Sequence, residues 1–138
     1  MSTGHIEAFA RLYTAAWCSQ SAARVAECYE PSGSLTINGG EPSVGRTAIE
    51  AAAQNFMTAF PDLVVQMDGL DFADGRVICR WTLIGRNTGP GGTGNAVRIS
   101  GQEEWTLSPD GLIARSEGSF DRADYERQLQ QNVTPAAD

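Results

Sequence analysis

Three carboxylates in the last third of the chain have the chemistry and the placement for acid/base work. Asp121 stands where the alternating run Leu112 to Phe120 hands over to a helical pattern from Ala123 to Gln130. A carboxylate at such a strand end can point into a space enclosed by the sheet, take a proton as general base and return it as general acid. In the same place it can instead cap the helix that follows, which is worth about 1 kcal/mol. Glu103 shares parity with Val97, Ile99, Trp105 and Leu107, so it falls on the apolar face of its strand. A carboxylate there needs a partner or hydrogen bonds. Glu117 shares parity with Asp121. Either glutamate can form a pair with Asp121, unless a bulge, common in bent sheets, turns it to solvent.

The elements that must position these groups are legible in the hydrophobic pattern. Ile6, Phe9, Ala10, Tyr13 and Trp17 recur at helical spacing, and Ala22, Val25, Ala26 and Tyr29 mark a second, shorter helix. Ser34 to Ile37 reads as a short strand, followed by a loop at Asn38-Gly39-Gly40-Glu41-Pro42. A third helix carries Ile49, Ala52, Ala53, Phe56 and Phe60 on one face and is stopped by Pro61. The period then changes to two. Strands are expected over Leu63 to Phe72, bent at Gly69, then Arg76 to Asn87, Ala96 to Leu107 and Leu112 to Phe120. Ala73-Asp74-Gly75 and Ser108-Pro109-Asp110-Gly111 are turns, and Gly89 to Gly94 is a glycine-rich hairpin loop that lacks the residues of a phosphate loop. Helices followed by strands argue an α+β fold with the helices on one face of the sheet. The sequence reads as one domain over residues 1–131, with a frayed tail over 132–138.

Composition narrows the functional classes. The chain has 138 residues, 41% of them apolar, and a formal net charge of −7. That length supports a core and an enclosed pocket. The acidic balance makes nucleic acid and anionic membrane poor partners, and no apolar stretch is long enough to span a bilayer. Met1 to His5 runs directly into an amphipathic pattern, unlike a signal peptide. Cys18, Cys28 and Cys79 are odd in number and lack metal-type spacing, so reduced thiols and a cytoplasmic location are expected. With His5 as the single histidine, a site built on several imidazoles is excluded, and no metal is expected. Asn132-Val133-Thr134 has the form of a glycosylation acceptor without a secretory signal to support it.

The order and spacing of several segments are similar to a known family. They are Phe60-Pro61-Asp62-Leu63, Asp74-Gly75-Arg76-Val77, Trp81, Gly85-Arg86-Asn87-Thr88-Gly89, Thr93 to Val97, Pro109 to Ile113, Asp121 and Gln128-Leu129. Together they resemble the SnoaL-like polyketide cyclases of the NTF2-like superfamily, over nearly the whole chain. The resemblance implies a cone-shaped α+β fold in which three N-terminal helices pack on a strongly bent antiparallel sheet and enclose a pocket. It further implies a homodimer and a hydrophobic or polyketide-like small molecule as partner. The implied reaction is an intramolecular aldol ring closure without metal or cofactor. The family's acid/base aspartate falls on Asp121. Its histidine position is occupied by Asn87, an amide that can hydrogen-bond a carbonyl or enolate oxygen but cannot exchange protons near neutral pH. Trp81, Trp105 and Phe56 are then candidates for the pocket wall beside Glu103 and Glu117.

Other functions live on the same fold. A small-ligand-binding protein without chemistry needs only the pocket. A ketosteroid-type isomerase needs a base near Ile37 to Gly40, where this chain has Asn38. An epoxide hydrolase of the limonene type needs an Arg-x-Asp pair, which neither Arg80-Trp81-Thr82 nor Arg98-Ile99-Ser100 supplies, leaving a Glu103–Asp121 pair as its route.

Overall fold

The computed structural model describes residues 2–73 and 75–130. Helix α1 (Thr3–Cys18) starts where the Ser2 hydroxyl accepts the His5 amide proton at 3.1 Å. Its buried stripe is Ile6, Ala10, Tyr13, Ala16 and Trp17, so Tyr13 and Trp17 stand one turn apart on the inward side. A short helix α2 (Ala22–Ala26) leads into β1 (Tyr29–Ile37) and a two-residue β2 (Ser43–Val44). Helix α3 (Arg46–Ala59) buries Ile49, Ala53 and Met57 and ends before Pro61. The remaining strands are β3 (Val64–Ala73), β4 (Arg76–Arg86), β5 (Ala96–Leu107) and β6 (Ile113–Phe120), and the chain closes with α4 (Arg122–Gln130).

The six strands form one sheet in the order β2-β1-β6-β5-β4-β3. β3 to β6 are the expected antiparallel meander. The sheet as a whole is mixed, because β1 returns parallel to β6. Three helices precede the meander as expected, and α4 makes a fourth. It packs on β5, where the Gln128 side chain donates to the Arg98 carbonyl and accepts from the Arg98 amide. Tyr29 is not the end of a helix. The second helix stops at Ala26, and Tyr29 opens β1, fully buried. β1 is therefore longer than its sequence signal, and β2, just after the expected Asn38–Pro42 loop, had no sequence signal of its own. The expected tail, residues 132–138, and Asn132-Val133-Thr134 lie outside the described residues. Among the described residues no helix is long and apolar enough to cross a membrane.

Two irregularities shape the inner face. β3 shifts register between Met67 and Gly69, at the bend expected from the sequence. β6 carries an extra residue: Thr106 opposes Arg115 while Leu107 opposes Ile113, so Ala114 is bulged out. The bulge inverts the parity of the rest of β6. Ser116 and Gly118 become buried, while Arg115 and Glu117 turn outward.

Candidate active site

The helices and the inner sheet face do not meet everywhere, and a cavity remains between α1, α3 and strands β1 and β3 to β6. Its walls are mainly apolar: Leu35, Ile37, Phe56, Val65, Leu83, Ile99 and Phe120, with the indoles of Trp17 and Trp81. The void spans about 680 Å³ including its open mouth, of which about 60 Å³ admits the centre of a water molecule. Polarity is confined to a few groups, and Glu103 is the one charged residue among those that line it.

Strand alternation brings Glu103 inside, on the face of Ile99 and Trp105. In the sheet it lies between Cys79 on β4 and Gly118 on β6. Its side chain passes over Gly118, where a Cβ would stand in ordinary contact with the Glu103 Cγ. Glu103 is 9% exposed, and no salt bridge reaches it among the described residues. Neutral donors hold it instead. Oε1 accepts from Tyr13 Oη at 2.9 Å, Trp105 Nε1 at 2.8 Å and Ser116 Oγ at 2.8 Å. Oε2 has only the longer 3.2 Å contact from Tyr13. Behind Tyr13 stands Tyr29, hydroxyl to hydroxyl at 2.8 Å. The result is a buried chain Tyr29–Tyr13–Glu103 with one carboxylate oxygen saturated and the other underused.

Burial raises the carboxyl pKa of Glu103, and the hydrogen bonds from Trp105, Ser116 and Tyr13 oppose that rise without cancelling it. Both tyrosines are pushed well up, first by burial and then by the Glu103 charge, and stay protonated donors. Burial pushes the Cys79 thiol up to about 12, with Glu103 and Asp68 adding to it. Cys79 is thus a small neutral wall residue and not a thiolate nucleophile.

The residues expected from the sequence divide sharply. Glu103, Trp81 and Phe56 line the cavity. Trp105 is fully buried behind it; its N–H is spent on Glu103 and its ring meets Phe9 and Tyr13 edge-on. Glu117 is exposed on the outer face and paired with Arg115, because the Ala114 bulge turned it there. Asp121 is also exposed: its Oδ1 accepts from the Asp124 amide at 3.0 Å and caps α4. The inward placement expected for Asp121 is not found: Asp121 lies past the end of β6, exposed, while Glu103 is buried at mid-strand. Asn87 is no cavity group either. Its Nδ2 donates to the Ala59 carbonyl at 3.2 Å and its Oδ1 accepts from the Thr93 amide at 2.7 Å, fastening the glycine-rich loop to the end of α3. Gly89 completes that fastening. A Cβ there would collide with the Thr58 carbonyl. Asn38, in the region where an isomerase keeps its base, accepts from the Phe120 amide at 2.9 Å and is structural.

Tyr13, Tyr29, Ser116 and Trp17 escaped the sequence reading as site residues. Tyr13 and Trp17 fit a core stripe equally well, and Ser116 sat on the expected outer parity. Glu103 on an apolar face was the signal that led to the polar centre of the cavity.

Residues 9–116 match the family model of the SnoaL-like domain. The chain belongs to the SnoaL-like family. A comparison with curated proteins gives no significant match. Among solved structures, this SnoaL-like domain is similar to a protein from Jannaschia sp. CCS1 assigned as a SnoaL-like polyketide cyclase, at 18% identity and TM-score 0.75, with 98% of each chain covered. It is also similar to the epoxide hydrolase/cyclase-like enzyme SalBIII of salinomycin pyran ring formation, at 16% identity and TM-score 0.75, covering 86% of this chain and 92% of that one. A protein with a ketosteroid isomerase-like fold from Catenulispora acidiphila, in complex with trimethylamine, aligns at 13% identity and TM-score 0.78, covering 92% and 97%. At these identities the likeness is one of fold.

Proposed function

We propose that this SnoaL-like domain is a cofactor-independent acid/base enzyme acting on a small, largely apolar carbonyl compound, and that Glu103 takes the role the sequence suggested for Asp121. One observation carries the reading: a carboxylate inside an apolar cavity, held by neutral donors on Oε1 and left underused on Oε2. A raised pKa makes Oε2 a better base than an ordinary carboxylate and keeps its protonated form accessible. The proton leaves a carbon beside a carbonyl and moves to Oε2. The enolate carbon then attacks a second carbonyl of the same molecule, a C–C bond forms, and the new alkoxide takes the proton back. Tyr13 steadies Glu103 in both states, and Tyr29 steadies Tyr13. Enclosure holds the two carbons near each other.

A ligand-holding role without chemistry is the second reading, favoured by the apolar lining. C–H exchange separates the two without knowledge of the natural substrate. Ethyl acetoacetate in D2O, followed by NMR, should lose its central C–H signal faster with the protein than without it. Glu103→Gln should slow the protein-dependent part by about 100-fold or more. Equal exchange by both proteins would remove Glu103 as the base.

A further inference from the structure

The β6 bulge decides what stands next to Glu103. Counted without a break from the buried Ile113, the alternation of β6 would turn Arg115 and Glu117 to the inner face. The extra residue at Ala114 turns Ser116 and Gly118 there instead. A guanidinium in that place would pair with Glu103 and pull its carboxyl pKa down, and a second carboxylate would repel it. The side chain that the bulge supplies is a neutral hydroxyl, wholly buried, which donates to Oε1 at 2.8 Å. Ser116 lies directly opposite Trp105 in the β5–β6 ladder, and the Trp105 indole reaches the same oxygen at 2.8 Å. Both donors are therefore placed by strand pairing, whereas Tyr13 comes from a helix and touches both oxygens.

We propose that Ser116 is a positioning residue: with the Trp105 indole it ties down Oε1 of Glu103, so that a proton comes and goes at Oε2 alone. This rests on the acid/base reading above and states how the site is set for it. When the substrate C–H bond breaks, its electron pair stays on carbon as the enolate and the proton forms an O–H bond at Oε2; the return step reverses this. Oε1 is then the C=O oxygen of the acid and keeps its three donors in both states, so the network does not have to turn over during proton transfer. The carboxyl also titrates alone. The titratable groups near it are Tyr13 on α1, Cys28 and Tyr29 at the start of β1, and Cys79 on β4, and burial raises all four, Cys28 to about 11 and Cys79 to about 12. α3 and β3 present only Phe56 and Val65 to the cavity, and no cationic side chain is among its lining residues. The Ser116 hydroxyl donates to the charged form, so its removal disfavours that form.

The pH profile of protein-dependent ethyl acetoacetate exchange reads this directly. Ser116→Ala should move the acidic limb of the profile to higher pH. At the pH where wild type runs at half its plateau, the variant's rate relative to its own plateau should be about fivefold lower than that of wild type. Trp105→Phe removes the other strand donor and should move the limb the same way. Thr82→Val is the control: it removes a buried hydroxyl of the outer face, bonded to Asp68 and Ser100, and should leave the limb in place. A second readout needs no turnover. The carboxyl carbon NMR signal of Glu103, identified by its absence in Glu103→Gln, should titrate with a higher midpoint in Ser116→Ala than in wild type. A wild-type protein without exchange would defeat the acid/base reading, and the carboxyl titration would still decide the role of Ser116. An unmoved or lowered midpoint in Ser116→Ala, or an equal shift in Thr82→Val, would overturn the proposal.

Discussion

Glu103 and Glu104 are adjacent in the chain and occupy opposite worlds. Glu104 points to the outer face, where it pairs with Arg76 across the β4–β5 ladder in partial contact with water. Glu103 points inward, away from any cation, and is held by a hydroxyl from α1, a hydroxyl from β6 and an indole from its own strand. The period of two in a strand makes this difference, and the neighbourhood makes the chemistry. An outer ion pair of this kind is screened and contributes little. An inner acid without a counter-charge keeps a raised pKa, so its proton can be moved.

The comparison can be broken at its strongest point by truncation. Glu103→Ala leaves the Tyr13, Ser116 and Trp105 donors unpaired, and a loss of about 2 kcal/mol of stability is expected in urea denaturation. Glu104→Ala should cost less than about 0.5 kcal/mol. Similar losses for the two would mean that the buried network contributes nothing special. The pH dependence sharpens the same contrast. Because the folded state holds the Glu103 proton to higher pH than the unfolded chain does, its stabilising share is full below the ordinary value of 4.5 and falls as the pH climbs through the raised value. Glu103→Gln cannot ionise. Stability curves of the two proteins should run together in acid and diverge above it, the variant gaining relative to wild type. Parallel curves across that range would show that the fold does not shift this group. The remaining test lies at the strand end. Asp121→Ala should lose about 1 kcal/mol through its cap and leave the C–H exchange rate unchanged; a collapse of exchange would return the acid/base role to Asp121.

Much of this arrangement was legible beforehand, and what was not has physical reasons. The long strands declared themselves because Val77, Cys79, Trp81 and Leu83 alternate cleanly, as do Val97, Ile99 and Trp105. Glu103 could be placed because no bulge interrupts β5 against β4. On β6 the same parity rule failed, since one extra residue at Ala114 turned every later side chain over, and that carried Glu117 and Asp121 to the outside. Tyr29 was misread for a local reason: it sits four residues after Val25 and extends the helical spacing, yet packing claims it for β1. Asn87 looked like a ligand group because it falls at the family's histidine position; the hydrogen bonds it makes to Ala59 and Thr93 are tertiary and leave no mark in composition.

The hollow itself depends on what is missing at position 101. Trp81, Gly101 and Phe120 form one row across three strands, and a Cβ on the middle residue would lie 2.7 Å from the indole Cζ2 and 3.0 Å from the Phe120 Cβ. One added methyl would collide first with the Ser119 carbonyl and then with both aromatic side chains, so the β5–β6 pairing and the Trp81–Phe120 row would have to shift together. The shape of the cavity wall thus rests on a single hydrogen atom standing where every other amino acid carries carbon.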